Sequence, residues 1–357
     1  MILENQYFLV AISCGLLPLM LLLELFISHK RDIPSENVYG QDTTNGLKGI
    51  FGLVIVMHHF MLGTVYNNEN IFYIAYQCAG YLSVSVFMFI SGYAFERTAG
   101  RKRITLKMII QRIIRIYLPF VVATSVSSLI NQVPVSEWLW NICTLSSKVD
   151  NGNYSAIWFV MAILYISLIS LLICRFCSKG NIRILLMFLG IVAWTVFWIA
   201  MGVNSHWYNT MYCYLLGYII SKHKDRVYGF MLPMRHFVIS VISVICMLSG
   251  AFALQLVTRW KWLEIVCALS IAMLSFIASM KVEFNSIHWR FLGKISYELY
   301  LIHGMIIALV YSINDIYSNL FVILALVLVV LSAWILNIFD TKILSLIFRR
   351  KKTGEQH

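Results

Sequence analysis

Long apolar stretches separated by short polar or charged links run through the whole chain. Crossing a hydrocarbon core takes about 20 consecutive apolar residues in a helix, and stretches of that length recur here. The pattern predicts eleven transmembrane helices, over residues 7–28, 46–66, 71–95, 106–130, 155–175, 182–202, 205–221, 235–255, 262–280, 288–312 and 318–346. The expected fold class is therefore all-α, a polytopic integral membrane bundle. No repeat, heptad or low-complexity tract interrupts it. The longest polar link, residues 131–154, carries Trp138, Trp140 and Asp150. It reads either as a short interfacial cap over an outward-facing site or as a plain loop with an aromatic belt.

Composition agrees with one compact membrane domain. Of 357 residues, 60% are hydrophobic and only 12% charged, against about 25% charged in an average soluble domain. A net charge of +12 points to nucleic acid in a soluble protein, but here the basic residues sit in the links, so no nucleic-acid partner is expected. With the N-terminus outside, the inner side receives Lys30, Arg31, Arg97, Arg101, Lys102, Arg103, Lys107, Arg175, Lys179, Arg183, Lys222, Lys224, Arg226, Lys281, Arg290 and residues 349–352. The outer side keeps Lys148, Arg259 and Lys261. That asymmetry predicts a cytoplasmic C-terminus in the cell membrane. The first apolar run follows no basic residue and precedes His29, Lys30 and Arg31, which reads as an uncleaved helix, not a signal peptide. The eight cysteines fall nearly all within spans and read as free thiols. Cys174 and Cys177 form a lone CxxC without a second pair, so no metal is expected.

Polar side chains inside a bilayer cost a few kcal/mol or more each, so they usually face a cavity. Lys48 opens the second span and His59 follows eleven residues later. At about 100° and 1.5 Å per residue, both lie on one helix face, roughly 16 Å apart, with His59 near mid-membrane. His58 points about 100° away. In the fourth span, Arg112 and Arg115 occupy neighbouring positions of one face and suit an anion, because a guanidinium forks around two oxygens. The alternative is that both snorkel to the headgroups, which the shallower Arg112 can do easily. The deeper Arg115 is expected to face the cavity. In the tenth span, Ser296, Tyr300 and His303 form an i, i+4, i+7 stripe that suggests a lined cavity, with His303 at about the depth of His59; His303 by itself reads equally as an interhelical hydrogen bonder.

Together these segments resemble the membrane acyltransferase family that includes bacterial O-antigen, capsule and peptidoglycan O-acetyltransferases, over about residues 44–346. The family's basic residue and its essential histidine are matched by Lys48 and His59, with Lys standing where the family usually has Arg. A Phe-rich stretch ending in Ser-Gly is matched by Phe87, Phe89, Ser91 and Gly92, and a basic helix ending in Pro by Arg112, Arg115 and Pro119. A Trp-Phe pair is matched by Trp158 and Phe159, and a Ser-Tyr-x-x-Tyr-Leu-x-His segment by Ser296, Tyr297, Tyr300, Leu301 and His303.

The resemblance implies a ten-helix core at 46–346, preceded by an extra helix and loop at 1–45 and followed by a basic tail at 347–357. It implies transfer of an acyl group, usually acetyl, from cytoplasmic acyl-CoA to a hydroxyl of a glycan or lipid-linked sugar, with acyl-CoA as co-substrate and no bound cofactor. Lys48, Arg112 and Arg115 would hold the CoA phosphates, and His59 would act as general base or as transient acyl carrier. Ser91, Ser296, Tyr300 and His303 would line the tunnel or orient the acyl carbonyl. Glu298, where the family often has a small or uncharged residue, would pair with Lys48, Lys294 or an Arg. The residues alone also fit a transporter or flippase for a lipid-linked glycan or small metabolite. Matching broken helices in two halves would mark that class, and the sequence shows none.

Overall fold

The computed structural model describes residues 38–64, 71–100, 103–144, 157–313 and 319–348. The expected first span, residues 145–154 of the 131–154 link and residues 349–357 of the basic tail lie outside them. The described residues contain helices and no strands. In chain order the helices are α1 (Gln41–Thr64), α2 (Ile71–Phe95), α3 (Leu106–Ile130), α4 (Val135–Thr144), α5 (Ile157–Phe176), α6 (Gly180–Ala200), α7 (Met211–Lys222), α8 (Lys224–Met231), α9 (Met234–Thr258), α10 (Trp262–Ala278), α11 (Ile287–Lys294), α12 (Ser296–Ile313) and α13 (Asn319–Ile347). Seven are long and apolar enough to cross a membrane, and the bent pair α11–α12 makes an eighth. The chain is thus a multi-pass membrane protein. The small helices α4, α8 and α11 are not resolved by apolar length, since each is shorter than a span.

Two expected spans differ from what is observed. The segment 205–221 begins as a single 3-10 turn, Ser205–Trp207, and becomes α7 only at Met211. The segment 288–312 is broken, with α11 and α12 meeting at 73°. The break is a packing effect. Gly293 lies so close to α1 that a Cβ there would overlap the Asn45 carbonyl oxygen. At the junction the Ser296 hydroxyl donates to the Gly293 carbonyl at 2.9 Å, satisfying an acceptor that a straight helix would use for its own backbone. Arg290 on α11 pairs with Asp42 on α1 at 3.2 Å. The pair is largely exposed and contributes at most about 1 kcal/mol.

In lipid there is no hydrophobic force between apolar helices, so close approach of small residues holds them together. The α2–α7 seam shows this from both sides. A Cβ on Gly92 would overlap the Tyr214 carbonyl oxygen, and one on Gly217 would overlap that of Phe89. The seam also buries Glu96, which accepts from the Ser221 hydroxyl at 3.0 Å. On the other flank, Ala325, Val329 and Ala333 recur at every fourth residue of α13, are fully buried, and belong to one cluster with Leu299 and Ile302 of α12. By contrast, the apolar window of α9 is only 6% buried, which leaves that helix facing lipid.

Tyr39, just ahead of α1, locks the base of the bundle. Its ring is buried between Phe89, Tyr93 and Phe276 at centroid distances of 5.3, 5.1 and 5.6 Å, and its hydroxyl shares a hydrogen bond with Ser275 at 3.0 Å. Burial pushes this phenol above its usual range, so it stays neutral. Its φ of 58° is left-handed, costing about 1–2 kcal/mol, which the buried ring offsets. Tyr39→Phe, keeping the ring and removing the hydroxyl, should lower unfolding free energy by about 1 kcal/mol, measured by thermal melting in detergent.

Candidate active site

The site is built on α1 and α12. His59 of α1 and His303 of α12 face each other with ring centroids 4.6 Å apart. Spacing along each helix puts them at the same level, and the packing of α1 on α12 turns the two faces together. His58 is the next ring along, 4.9 Å from His59, and points to α2, where Gly80 leaves room for it: a Cβ there would come within 2.6 Å of its ring. His303 is 1% exposed, whereas His59 is only half-buried. The accessible imidazole is therefore His59.

The hydrogen bonds of His303 decide its protonation. Its Nδ1 lies 2.7 Å from the Tyr300 carbonyl oxygen and 3.2 Å from that of Leu299. Carbonyl oxygens only accept, so Nδ1 carries the proton and donates. The opposite nitrogen, Nε2, is buried and has no hydrogen-bond partner among the described residues. Tyr300 is buried beside His303 at 5.7 Å and against Phe159 at 4.8 Å. Phe159 touches Trp158, and Trp158 touches His206 of the 3-10 turn, at 5.9 and 5.3 Å. A wall of rings thus runs from the paired imidazoles to the link between α6 and α7.

The basic groups lie at the other end of α1. Lys48 is half-buried and within electrostatic reach of the Arg112 guanidinium. Arg112 donates from Nε to the Ser167 hydroxyl of α5 at 3.3 Å and senses Tyr214 and Tyr297. Neither cation has a carboxylate partner among the described residues. Arg115 is placed differently from the expectation. It is exposed, with its guanidinium 5.7 Å from the centre of the Phe348 ring. The two arginines are three residues apart on the helix, but only Arg112 turns into the bundle beside Lys48.

The remaining expected residues separate by level. Ser91 is half-buried and lies eleven residues along α2 from Gly80, the residue that abuts His58. That puts it about 16 Å from the histidine level, at about the depth of Lys48. Ser296 is buried opposite Gly52 and already donates its hydroxyl to Gly293. Among the described residues Glu298 does not pair with Lys48, Lys294 or an arginine. It faces α13, where Asn337 Nδ2 donates to its Oε1 at 2.9 Å, because it lies about 200° round α12 from Ser296, which packs on α1.

Three contributors were not singled out from the sequence as site residues. Ser167 is one of two serines, with Ser170, in an otherwise apolar helix and carries no signal of its own. Phe159 had one, the Trp-Phe pair at the start of a helix. Tyr297, whose hydroxyl donates to the Ile116 carbonyl at 2.7 Å, ties α12 to α3 next to Arg112. The 131–154 link also proves structured in part. Along α4, Trp138 Nε1 donates to Ser125 at 3.2 Å and the Ile142 carbonyl accepts from Tyr117 at 2.6 Å. The two anchors, Ser125 and Tyr117, lie eight residues or about 12 Å apart along α3. No cluster of three or more His, Cys, Asp or Glu that could hold a metal occurs among the described residues.

A family model described as an acyltransferase domain matches residues 43–338. No curated protein and no solved structure matches the chain.

Proposed function

Because this chain belongs to the acyltransferase family and is a membrane acyltransferase, we propose that it transfers an acyl group, acetyl in the simplest case, from cytoplasmic acyl-CoA to a hydroxyl of a cell-surface glycan or its lipid-linked precursor. The observation that carries this reading is the separation, along one helix, of two chemistries. Lys48 and Arg112 lie at one end, while the paired imidazoles of His59 and His303 lie deep in the bundle, about 16 Å further on. The cations suit the phosphates of CoA, and the span between suits an extended pantetheine arm ending in a thioester at His59.

The charge pattern of the links supports placing the Lys48 end at the cytoplasm of the cell membrane. The acceptor then arrives from the opposite side, past the aromatic wall that ends at His206. His59 takes the proton of the acceptor hydroxyl as its oxygen attacks the thioester carbonyl. The C–S bond breaks, the thiolate leaves and takes that proton back, and the products are an acyl ester and free CoA. Tyr300, whose ring packs 5.7 Å from that of His303, is suited to orient the acyl carbonyl.

The test is incubation of membranes containing the protein with radiolabelled acetyl-CoA, followed by isolation of the envelope glycan. Alkali-labile label on the glycan is the expected result. A flippase would move the glycan and leave it unlabelled, which would overturn the reading. Donor binding has its own signature. Arg112→Ala should raise KM for acetyl-CoA about 10-fold or more, the worth of one charge-assisted contact. Arg115→Ala, an exposed side chain over Phe348, should change it less than about 2-fold. Equal effects of the two would place the donor elsewhere.

A further inference from the structure

We propose that His303 is a positioning residue for His59: its Nε2 accepts a hydrogen bond from the His59 ring N–H and so holds the other His59 nitrogen, with its lone pair, towards the acceptor hydroxyl. This rests on the acyl-transfer reading above, with His59 as its base.

A neutral imidazole has one N–H and one lone pair, and a base must present the lone pair to its substrate. Something must therefore fix which nitrogen of His59 is protonated. Three observations assign this to His303. Its single N–H is committed to the Tyr300 and Leu299 carbonyls, at 2.7 and 3.2 Å, so the ring offers only a lone pair on the side away from its own helix. That nitrogen is buried and unpartnered among the described residues, and an unmet buried acceptor costs about 1–3 kcal/mol. The His59 ring is its neighbour, with centroids 4.6 Å apart and planes tilted by 48°, so a turn of the His59 ring about its Cβ–Cγ bond brings an N–H into line, and catalytic hydrogen bonds are often poorly aligned before substrate arrives and tighten once it is bound. The same proton accounting keeps neutral His303 from donating to an oxyanion, because it has no N–H left to give. The carbonyls of a helical turn thus set the tautomer of one imidazole, and that imidazole sets the next.

Two measurements test the proposal. Nitrogen-15 NMR of histidine-labelled protein in lipid should show one imidazole protonated at Nδ1 and bare at Nε2, with signals that vanish in His303→Gln. Assignment of the Nε2–H form to His303 would overturn the proposal. In acetyl transfer from radiolabelled acetyl-CoA to the endogenous membrane glycan, His303→Phe keeps a ring and removes the acceptor atom. It should lower kcat roughly 10²-fold with KM for acetyl-CoA unchanged. His303→Gln, whose Oε1 can stand near the place of Nε2, should recover most of that loss. Full activity of His303→Phe, or His303→Gln no better than His303→Phe at equal amounts of folded protein, would overturn the proposal. Failure of the wild type to transfer acetyl would instead strike the underlying reading, and the two failures are distinguishable because the tautomer is read without turnover.

Discussion

Replacing His59 by alanine is expected to lower acyl transfer by about 10²–10⁴-fold, the usual worth of a positioned general base, while KM for acetyl-CoA stays near its original value. The split follows from geometry. His59 is the accessible ring of the pair, whereas the cations expected to hold the donor sit about 16 Å away along α1. Removing the imidazole leaves Lys48 and Arg112 in place. His58→Ala is the matched control. Its ring fills the space at Gly80, so its loss should act on stability more than on turnover. Transfer by the His59 variant at wild-type rate, with equal folded protein, would remove His59 from the chemistry. If His59 instead carries the acyl group, wild-type protein given radiolabelled acetyl-CoA without acceptor should retain label on the protein, and the variant should not.

Substitution of Gly92 by valine should prevent accumulation of folded protein, with a cost of about 3 kcal/mol or more from overpacking. A Cβ at that position would overlap the Tyr214 carbonyl oxygen, and Gly217 one turn further on is equally close to Phe89. Backbone cannot swing aside as a side-chain tip can, so α2 and α7 must separate, and with them goes the Glu96–Ser221 hydrogen bond. Gel filtration in mild detergent reads the outcome as loss of the monodisperse peak. Gly250→Ala gives the contrast. Gly250 is on lipid-facing α9 with nothing near its Cβ position, so alanine there should be neutral or stabilise by up to about 1 kcal/mol. A monodisperse, normally melting Gly92→Val protein would show that the α2–α7 crossing is not as close as described.

Much of the site was legible in the sequence because depth along one helix follows from spacing alone. Lys48 and His59 had to share a face of α1 about 16 Å apart, and Ser296, Tyr300 and His303 had to share a stripe of α12, whatever surrounds them. The same arithmetic could not tell which way a face looks. Arg112 and Arg115 are neighbours on α3, yet one turns to Ser167 and the other to Phe348. Glu298 had three plausible cationic partners in the sequence and is met by Asn337 instead.

The sequence by itself determined the solvent, the helices and the levels of the polar groups within them. Apolar length and helical periodicity are local properties, and a bilayer enforces helix wherever the chain crosses it. Only the tertiary structure decided that His59 meets His303, that the segment after Ser286 bends by 73°, and that one arginine of two joins the lysine. In water an apolar stripe announces the buried face of a helix. In lipid both faces are apolar, so the choice passes to a few glycines and hydrogen bonds whose partners lie on distant parts of the chain.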